Sequence, residues 1–287
     1  MSPRRRRKGA SWIVVTLRLT LLACVAMLAW TIADVMRVDV AALAETNPGS
    51  TAIMRQRRRE AEEKGRTFQP RQKWVAYERI SPHLRRAVLI AEDDAFFSHD
   101  GLDWNEIKAS AKKDLETGRF ARGGSTITQQ LAKNLWLSTE RTPMRKVKEM
   151  LLALRLEHEL SKRRIFELYL NVIEWGDGVY GAEAAARRWF GTSASALNAR
   201  QSVRLAAVII NPRRYSPVEP PRRIERRIRM ISSRMRRKGE LTDADFREVR
   251  GLPPLEPAAP PAEAAPPAEA APAESDSGAT APAATPE

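Results

Sequence analysis

The sequence predicts a mainly α fold, preceded by one membrane-spanning helix and followed by a disordered tail. Three observations carry this. Strand-like alternation of polar and apolar residues is nearly absent, while apolar residues recur at helical spacing between cap and stop signals. A run from Ser11 to Ala33 is apolar but for Arg18 and long enough to cross a bilayer core, which takes about 20 residues. After Leu255 the chain is Pro, Ala and Glu repeats, too poor in apolar mass to form a core. The expected divisions are a basic N-terminus at 1–10, the spanning helix at 11–33, a juxtamembrane linker at 34–72, a folded domain at 73–250 and the tail at 251–287.

In the N-terminal segment, the basic cluster at residues 4–8 places that end in the cytoplasm and the chain beyond Asp34 outside. Arg18 can snorkel back toward the basic end, and Trp12 and Trp30 suit the two interfaces. An uncleaved anchor is preferred to a signal peptide cut near Ala42-Leu43-Ala44, because the apolar run is long and ends well before that site. A lipoprotein box at Leu21-Leu22-Ala23-Cys24 is weakened by Arg18, and a buried soluble helix by the flanking charge. Cys24 is the single cysteine, so neither an intrachain disulfide nor zinc-finger spacing exists. Six of the 35 acidic residues and none of the 49 basic ones lie from Gly251 onward, so the first 250 residues carry a net charge of +20. Such a surplus suits nucleic acid, anionic lipid or a phosphorylated substrate.

The linker contains MRQRRREAEEKGR (residues 54–66), read as a solvated helix. Ser81-Pro82 starts the next helix, Ser as cap and Pro at the first helical position. Leu84, Ala87, Val88 and Ala91 share one face of it, with Glu92 beside them. Asp103-x-x-Glu106 opens a helix to about Leu115, and the polar stretch Glu116 to Gly124 reads as a mobile loop. Ser125 is the expected cap of the following helix, striped by Ile127, Leu131 and Leu135. Thr142-Pro143 opens a helix to about Leu160, and Ser161 begins another that breaks at Gly176-Asp177-Gly178. Asn198-x-x-Gln201 caps a helix stopped by Asn211-Pro212, and Pro221 opens a long basic helix closed near Gly239.

The chemistry gathers in residues 87–171. An apolar helix delivers Glu92, Asp93 and Asp94 into Phe96-Phe97 and His99. A carboxylate half-withdrawn from water has a raised pKa and can accept a proton. Gly123 to Leu137 then supplies hydroxyls, amides and Lys133, and Arg145, Lys146 and Glu149 come after it. One acid facing several cations, without a metal-ligand cluster, is suited to handling an anionic leaving group. Each bet has a plainer counterpart. Arg145 or Lys146 with Glu149 could be surface pairs worth a few tenths of a kcal/mol, and Glu92 could merely cap structure. Asp93 and His99 read as holders of the turn after Glu92, and Glu167 and Asn171 as packing and turn residues. Ser110-x-x-Lys113 matches a penicillin-binding nucleophile motif but stands without its companions.

Taken in order, Glu92-Asp93-x-x-Phe96-x-x-His99-x-Gly101, Gly124-Ser125-Thr126-Ile127-Thr128-Gln129-Gln130-Leu131-x-Lys133-Asn134, Arg145-Lys146-x-x-Glu149 and Lys162-x-x-Ile165-x-x-x-Tyr169-x-Asn171 resemble the signature of the peptidoglycan glycosyltransferase family, over about Trp74 to Arg237. With a single anchor and no second catalytic domain, the chain resembles the monofunctional members. The resemblance implies a lysozyme-like helical fold at the inner-membrane surface, with the catalytic domain periplasmic. It implies that the 4-hydroxyl of lipid II attacks the anomeric carbon of the growing chain with inversion, releasing undecaprenyl diphosphate. Glu92 would be the general base and Glu149 a second acid orienting sugar or pyrophosphate. Lys133, Arg145 and Lys146 would contact the donor pyrophosphate, and Thr126 and Gln130 would supply polar contacts. Phe166 stands where the family usually has leucine. The fifth motif is blurred: Arg227 with Ile231-Ser232 and Arg226 with Met230-Ile231 both fit partly, and Arg227 is taken as the substrate-binding residue.

These types suit the chemistry independently. Diphosphate gains charge as the bond breaks, and fixed cations in a water-poor cleft stabilise it. A glycosidase would need a protonated acid beneath a poor leaving group, normally with a second carboxylate partner, so a lytic enzyme is the lesser alternative. A basic binding module is the other, and no nucleic-acid motif supports it. No cofactor is required, although a divalent cation, Mg or Mn, could bridge diphosphate oxygens. Expected partners are lipid II, undecaprenyl-diphosphate-linked glycan, the membrane and other cell-wall synthesis proteins, with no nucleic acid.

Overall fold

The computed structural model describes residues 5–118, 124–140 and 142–254, with the side chains of 5–11 and of Lys113 excepted. The mobile loop expected up to Gly124 therefore lies outside the described residues over 119–123. So do the first four residues of the basic N-terminus and the tail from residue 255 on.

The fold is helical as expected. Helix α1 (Arg5–Met36) contains the apolar span, Trp12–Met36, at mean hydropathy 2.2. Trp12 and Trp30 are exposed, whereas Thr31 and Val35 near its end are buried against the rest of the protein. Helix α2 (Ala52–Glu62) begins at a Thr51 cap that accepts from the Met54 amide. It is not merely solvated: Ile53 and Met54 are 4% exposed, because two apolar side chains at its start give it a face to bury.

Helix α3 (Pro82–Glu92) starts at Pro82 as predicted, but Ser81 does not cap it. Its hydroxyl donates instead to the Leu197 carbonyl at 2.7 Å, which ties the start of the helix to a distant part of the chain. Asp103 caps α4 (Trp104–Thr117), which extends two residues past its expected end. Thr126, not Ser125, caps α5 (Ile127–Trp136), in a capping box completed by Gln129. Thr142 and Ser161 cap α6 (Pro143–Glu159) and α7 (Lys162–Val172) as read from the sequence.

Three short strands follow the pattern less visibly: β1 (Arg71–Gln72), β2 (Glu174–Gly176) and β3 (Val179–Tyr180), in the order β1-β3-β2. Strands of two and three residues give no alternation to detect. Gly181 ends this sheet at φ +80°, and a Cβ there would meet the Asn171 carbonyl oxygen at 2.5 Å, so only glycine fits. Helix α8 (Ala182–Phe190) escaped the sequence reading, as did α11 (Asp243–Arg250), which opens with a Thr242–Asp245 capping box. Between them lie α9 (Ala199–Val208), opened by the Asn198–Gln201 box, and the basic α10 (Arg222–Arg237).

Helix α3 packs on α9 and α10, while α5 packs on α6, α7 and α2. One core runs through both groups, with Phe96, Phe166, Tyr169 and Trp175 wholly buried. Phe166 sits 5.6 Å from Phe96 and 6.4 Å from Tyr169, ring centre to ring centre, so a ring serves here as packing. Asn171 and Glu167 play the packing and turn roles expected of them. The Asn171 amide donates to the Val75 carbonyl at 3.0 Å, and Glu167 accepts from the Tyr77 amide at 2.9 Å.

Candidate active site

Glu92 is the last residue of α3, so the apolar face that buries the helix also carries the carboxylate inward. Two side chains from other helices hold it. Arg227 of α10 donates to Oε1 at 2.5 Å, and Gln130 of α5 donates through Nε2 to Oε2 at 3.1 Å. Gln130 is itself oriented by the buried Tyr169 hydroxyl, which donates to its Oε1 at 3.0 Å. Burial lifts the Glu92 carboxyl above its ordinary value, while Arg227, Gln130 and Lys133 pull the other way. The net is upward, the direction a neutral-pH base requires. Of the two arginines left open by the sequence, Arg227 reaches Glu92 and Arg226 lies exposed.

The turn after Glu92 is built by its neighbours. His99 Nε2 lies 3.1 Å from both Asp93 oxygens, and the Ile127 amide donates to Asp93 Oδ2 at 2.9 Å. Gly101 takes φ +85°, and its carbonyl accepts from the Thr126 hydroxyl at 2.6 Å. A Cβ on Gly101 would come within 2.9 Å of Glu157. These bonds lock the start of α5 onto the end of α3. Thr126 is 3% exposed, and its hydroxyl both caps α5 and ties Gly101.

The cationic side comes from α5 and α6. Lys146 donates to Glu149 Oε1 at 2.5 Å and to the Ser125 hydroxyl at 3.0 Å. Arg145 donates to Glu149 Oε2, also at 2.5 Å. Glu149 is 3% exposed, so this trio is not the solvated surface pair that spacing alone would allow. Among the described residues no hydrogen bond or ion pair engages Lys133. Burial lowers its pKa; Glu149 and Glu92 oppose that, and Arg145 and Lys146 reinforce it. Lys133 therefore stands in the electrostatic reach of both acids, a free ammonium between them.

These residues line two separate cavities. Glu92, Ser125 and Thr126 line one of about 300 Å³, and Gln130, Lys133 and Asn134 line another of about 380 Å³. Glu92 and Lys133 do not line the same one; Gln130 connects them, bonded to Glu92 and facing the second. The predicted residues Glu92, Gln130, Lys133 and Arg227 are brought together, and Arg145, Lys146 and Glu149 join through Lys133. Sequence reasoning missed the contributions of Ser125 to Lys146 and of Tyr169 to Gln130. No group of three or more His, Cys, Asp or Glu side chains among the described residues could hold a metal ion.

Comparison with known proteins identifies the family of the chain. Residues 59–236 match the model of a family described as transglycosylase. A biosynthetic peptidoglycan transglycosylase of Methylobacillus flagellatus is 52% identical over 192 residues, covering 67% of this chain and 84% of that protein. Proteins of the same name from Laribacter hongkongensis and Nitrosospira multiformis are each 49% identical over 189 residues, covering 66% of this chain and 83% and 82% of theirs. The chain therefore belongs to the transglycosylase family, and its activity is that of a glycosyltransferase of peptidoglycan synthesis.

Proposed function

We propose that this chain polymerises lipid II into glycan strands, with Glu92 as the general base that takes the proton of the attacking 4-hydroxyl. The supporting observation is a nearly buried carboxylate, raised in pKa, held on one oxygen by Arg227 and on the other by Gln130, within the electrostatic reach of an unpaired Lys133. Lys133, Arg145 and Lys146 would take the growing charge on the departing undecaprenyl diphosphate. Arg offers a planar fork to phosphate oxygens and Lys a movable point charge, so a mixed set can follow the group as it leaves. Glu149, bonded to Arg145 and Lys146, would set the direction of both. Gln130 would orient the base and Arg227 tune it. Thr126 would act by position, its hydroxyl tying the start of α5 to Gly101 where Thr126 lines the Glu92 cavity.

A divalent cation, Mg or Mn, would be carried by the diphosphate oxygens; among the described residues no group of three or more His, Cys, Asp or Glu side chains is placed to hold one. We place the apolar helix in the bacterial inner membrane as a single pass, the N-terminus cytoplasmic and the catalytic domain periplasmic. The basis is the basic N-terminal end and a lipid-linked substrate. Other cell-wall synthesis proteins are the natural partners of such an enzyme, and nucleic acid is not. Incubation of the purified chain with labelled lipid II tests the proposal. Polymer from the parent chain and none from Glu92→Gln is the expected result; soluble muropeptides released from finished wall would instead indicate a lytic glycosidase.

A further inference from the structure

Between helices α9, α10 and α11 lies a cavity of about 330 Å³ that the reaction so far described does not use. It shares no lining residue with the cavities of Glu92 and Lys133. Arg200 and Arg204 of α9, Arg229 of α10 and Arg250 of α11 line it, against one acid, Glu225. The buried Ile228 and Val249 give it an apolar wall. At the active site Arg145 and Arg227 are each paired to a carboxylate. Among the described residues none of the four arginines of this cavity forms an ion pair. Arg204 is half-buried and donates through Nη1 to the carbonyls of Val218 at 3.0 Å and Pro217 at 3.4 Å. Its Nε and Nη2 carry no bond among the described residues and are not closed off from solvent.

The fold gains nothing from gathering these charges. Arg200 and Arg204 stand one turn apart on α9, and like charges at that spacing repel. Arg200 also lies in the first turn of α9, which holds no acid, so it opposes the helix dipole. Burial, and after it the charge of Arg200, pulls Arg204 below its ordinary value, with Glu225 opposing. An arginine stays charged all the same, so the charge is held at a cost that a bound anion would relieve. We infer that this cavity is a second anion site, binding a phosphate group through the guanidinium N–H groups of Arg200, Arg204, Arg229 and Arg250. Planar forks match phosphate oxygens, and Arg204 is already seated by its two carbonyl bonds, so little freedom is lost on binding. The apolar wall lowers the local dielectric and strengthens each bond. Four guanidinium groups less the one carboxylate of Glu225 leave a surplus of three positive charges, enough to hold a phosphate dianion. The phosphate has two sources, the headgroup of an anionic lipid in the membrane that the apolar span enters, or free phosphate. This inference does not depend on the proposed polymerase activity.

The test uses the full chain in non-ionic detergent, titrated with inorganic phosphate and with short-chain phosphatidylglycerol. The variant Arg200→Gln/Arg229→Gln changes two exposed side chains that touch nothing at the Glu92 site. Phosphate bound near Lys133 stays equal in both chains, so the difference between them reports this cavity. Affinity for phosphate at the cavity should fall at least about tenfold in the variant, and phosphate should raise the melting temperature of the parent more than that of the variant. In phosphate-free buffer the variant should melt no lower than the parent and polymerise lipid II at the parent rate; a purely structural role would lower its melting temperature. Tighter binding of phosphatidylglycerol than of phosphate would assign the site to a lipid headgroup, and equal binding would assign it to free phosphate. If the double variant fails to fold, Arg204→Lys, which keeps the charge and loses the fork, decides in its place by the same fall in affinity. Equal phosphate affinity in parent and folded variant would overturn the inference, as would binding of an oligoglutamate peptide in place of phosphate.

Discussion

Arg227 Nη2 stands 2.5 Å from Glu92 Oε1 and 3.0 Å from the carbonyl oxygen of Ala91. One corner of a guanidinium thus fixes the carboxylate and the last turn of the helix that carries it. A cation is favoured at a helix C-terminus, where the unsatisfied carbonyls gather. The pairing also decides the chemistry: a carboxylate buried without it would hold its proton, and one paired in open water would be too weak a base. Partial burial with one counter-charge leaves Glu92 between these limits.

Replacing Glu92 by Gln should lower polymerisation by roughly 10²–10⁴-fold while leaving binding of lipid II in place. Stability gives an independent reading. Because the folded chain raises this carboxyl, its contribution to stability is fully present below the ordinary carboxylate range and is lost as pH rises through the raised value. The neutral variant should therefore be no less stable than the parent at neutral pH, and any advantage should vanish in acid. Thermal melts of both chains across pH check this, and an advantage that grows in acid would contradict it.

Arg227→Ala removes the charge that most opposes the effect of burial on Glu92. The Glu92 pKa should rise further, and the acid limb of the rate against pH should move upward. Part of the lost activity should then return as pH is increased. A loss equal at every pH would assign Arg227 to substrate contact alone.

Much of this site could be read in the chain because its parts lie on separate helices with strong local signals. Thr142-Pro143, Ser161 and the Asn198–Gln201 box announce helix starts by rules that act within four residues. The same rules misplaced the cap of α5 by one residue, since Ser125 and Thr126 are both capable and only the bond from Thr126 to Gly101 separates them. Likewise Ser81 carries a cap signal but serves Leu197, 116 residues away. Glu92 could be singled out by its place at the end of an apolar helix, but not the identity of its partners. The bond to Arg227 spans 135 residues, and that between Arg57 and Glu174 spans 117. Nothing in periodicity or capping reports on such pairs; α2 therefore read as solvated when it supplies a wall of the cavity that Lys133 lines.

Glu149 is the shared anchor of Arg145 and Lys146, at 2.5 Å from each. Removing one cation leaves the other seated, whereas Glu149→Gln loosens both. Lys146→Ala should raise the KM for the diphosphate-bearing donor more than for the acceptor, by about tenfold if one charge-assisted hydrogen bond is lost. Glu149→Gln should lower kcat more than either single cation variant does. Steady-state kinetics with donor and acceptor varied separately will show this, and equal effects on the two substrates would argue against a diphosphate role for Lys146.

The end of α1 is clamped to the helix that presents these cations. Thr31 donates to Met144 Sδ at 3.1 Å, Lys148 donates to Asp34 at 2.6 Å, and Arg155 donates to the carbonyls of Val35 and Val38 at 2.7 Å each. Met144, Lys148 and Arg155 lie along one face of α6, and Arg145, Lys146 and Glu149 lie on the face beside it. A tether alone would need only a flexible link; this arrangement fixes the cation-bearing helix relative to the apolar span. The half-buried Lys148–Asp34 pair is still open to solvent on one side and is worth little by itself, about 0–1 kcal/mol. Arg155, bonded to the Val35 carbonyl in the last turn of α1 and to the Val38 carbonyl just past it, is the stronger hold. In vesicles, Arg155→Met should therefore raise the KM for lipid-linked substrate several-fold with kcat nearly unchanged, because the chemistry stays intact while its height above the bilayer wanders. Asp34→Lys should act in the same direction more weakly, and adding Lys148→Asp should restore the parent value. A swap that fails to restore it, with the fold kept, would show that the two helices touch without acting together.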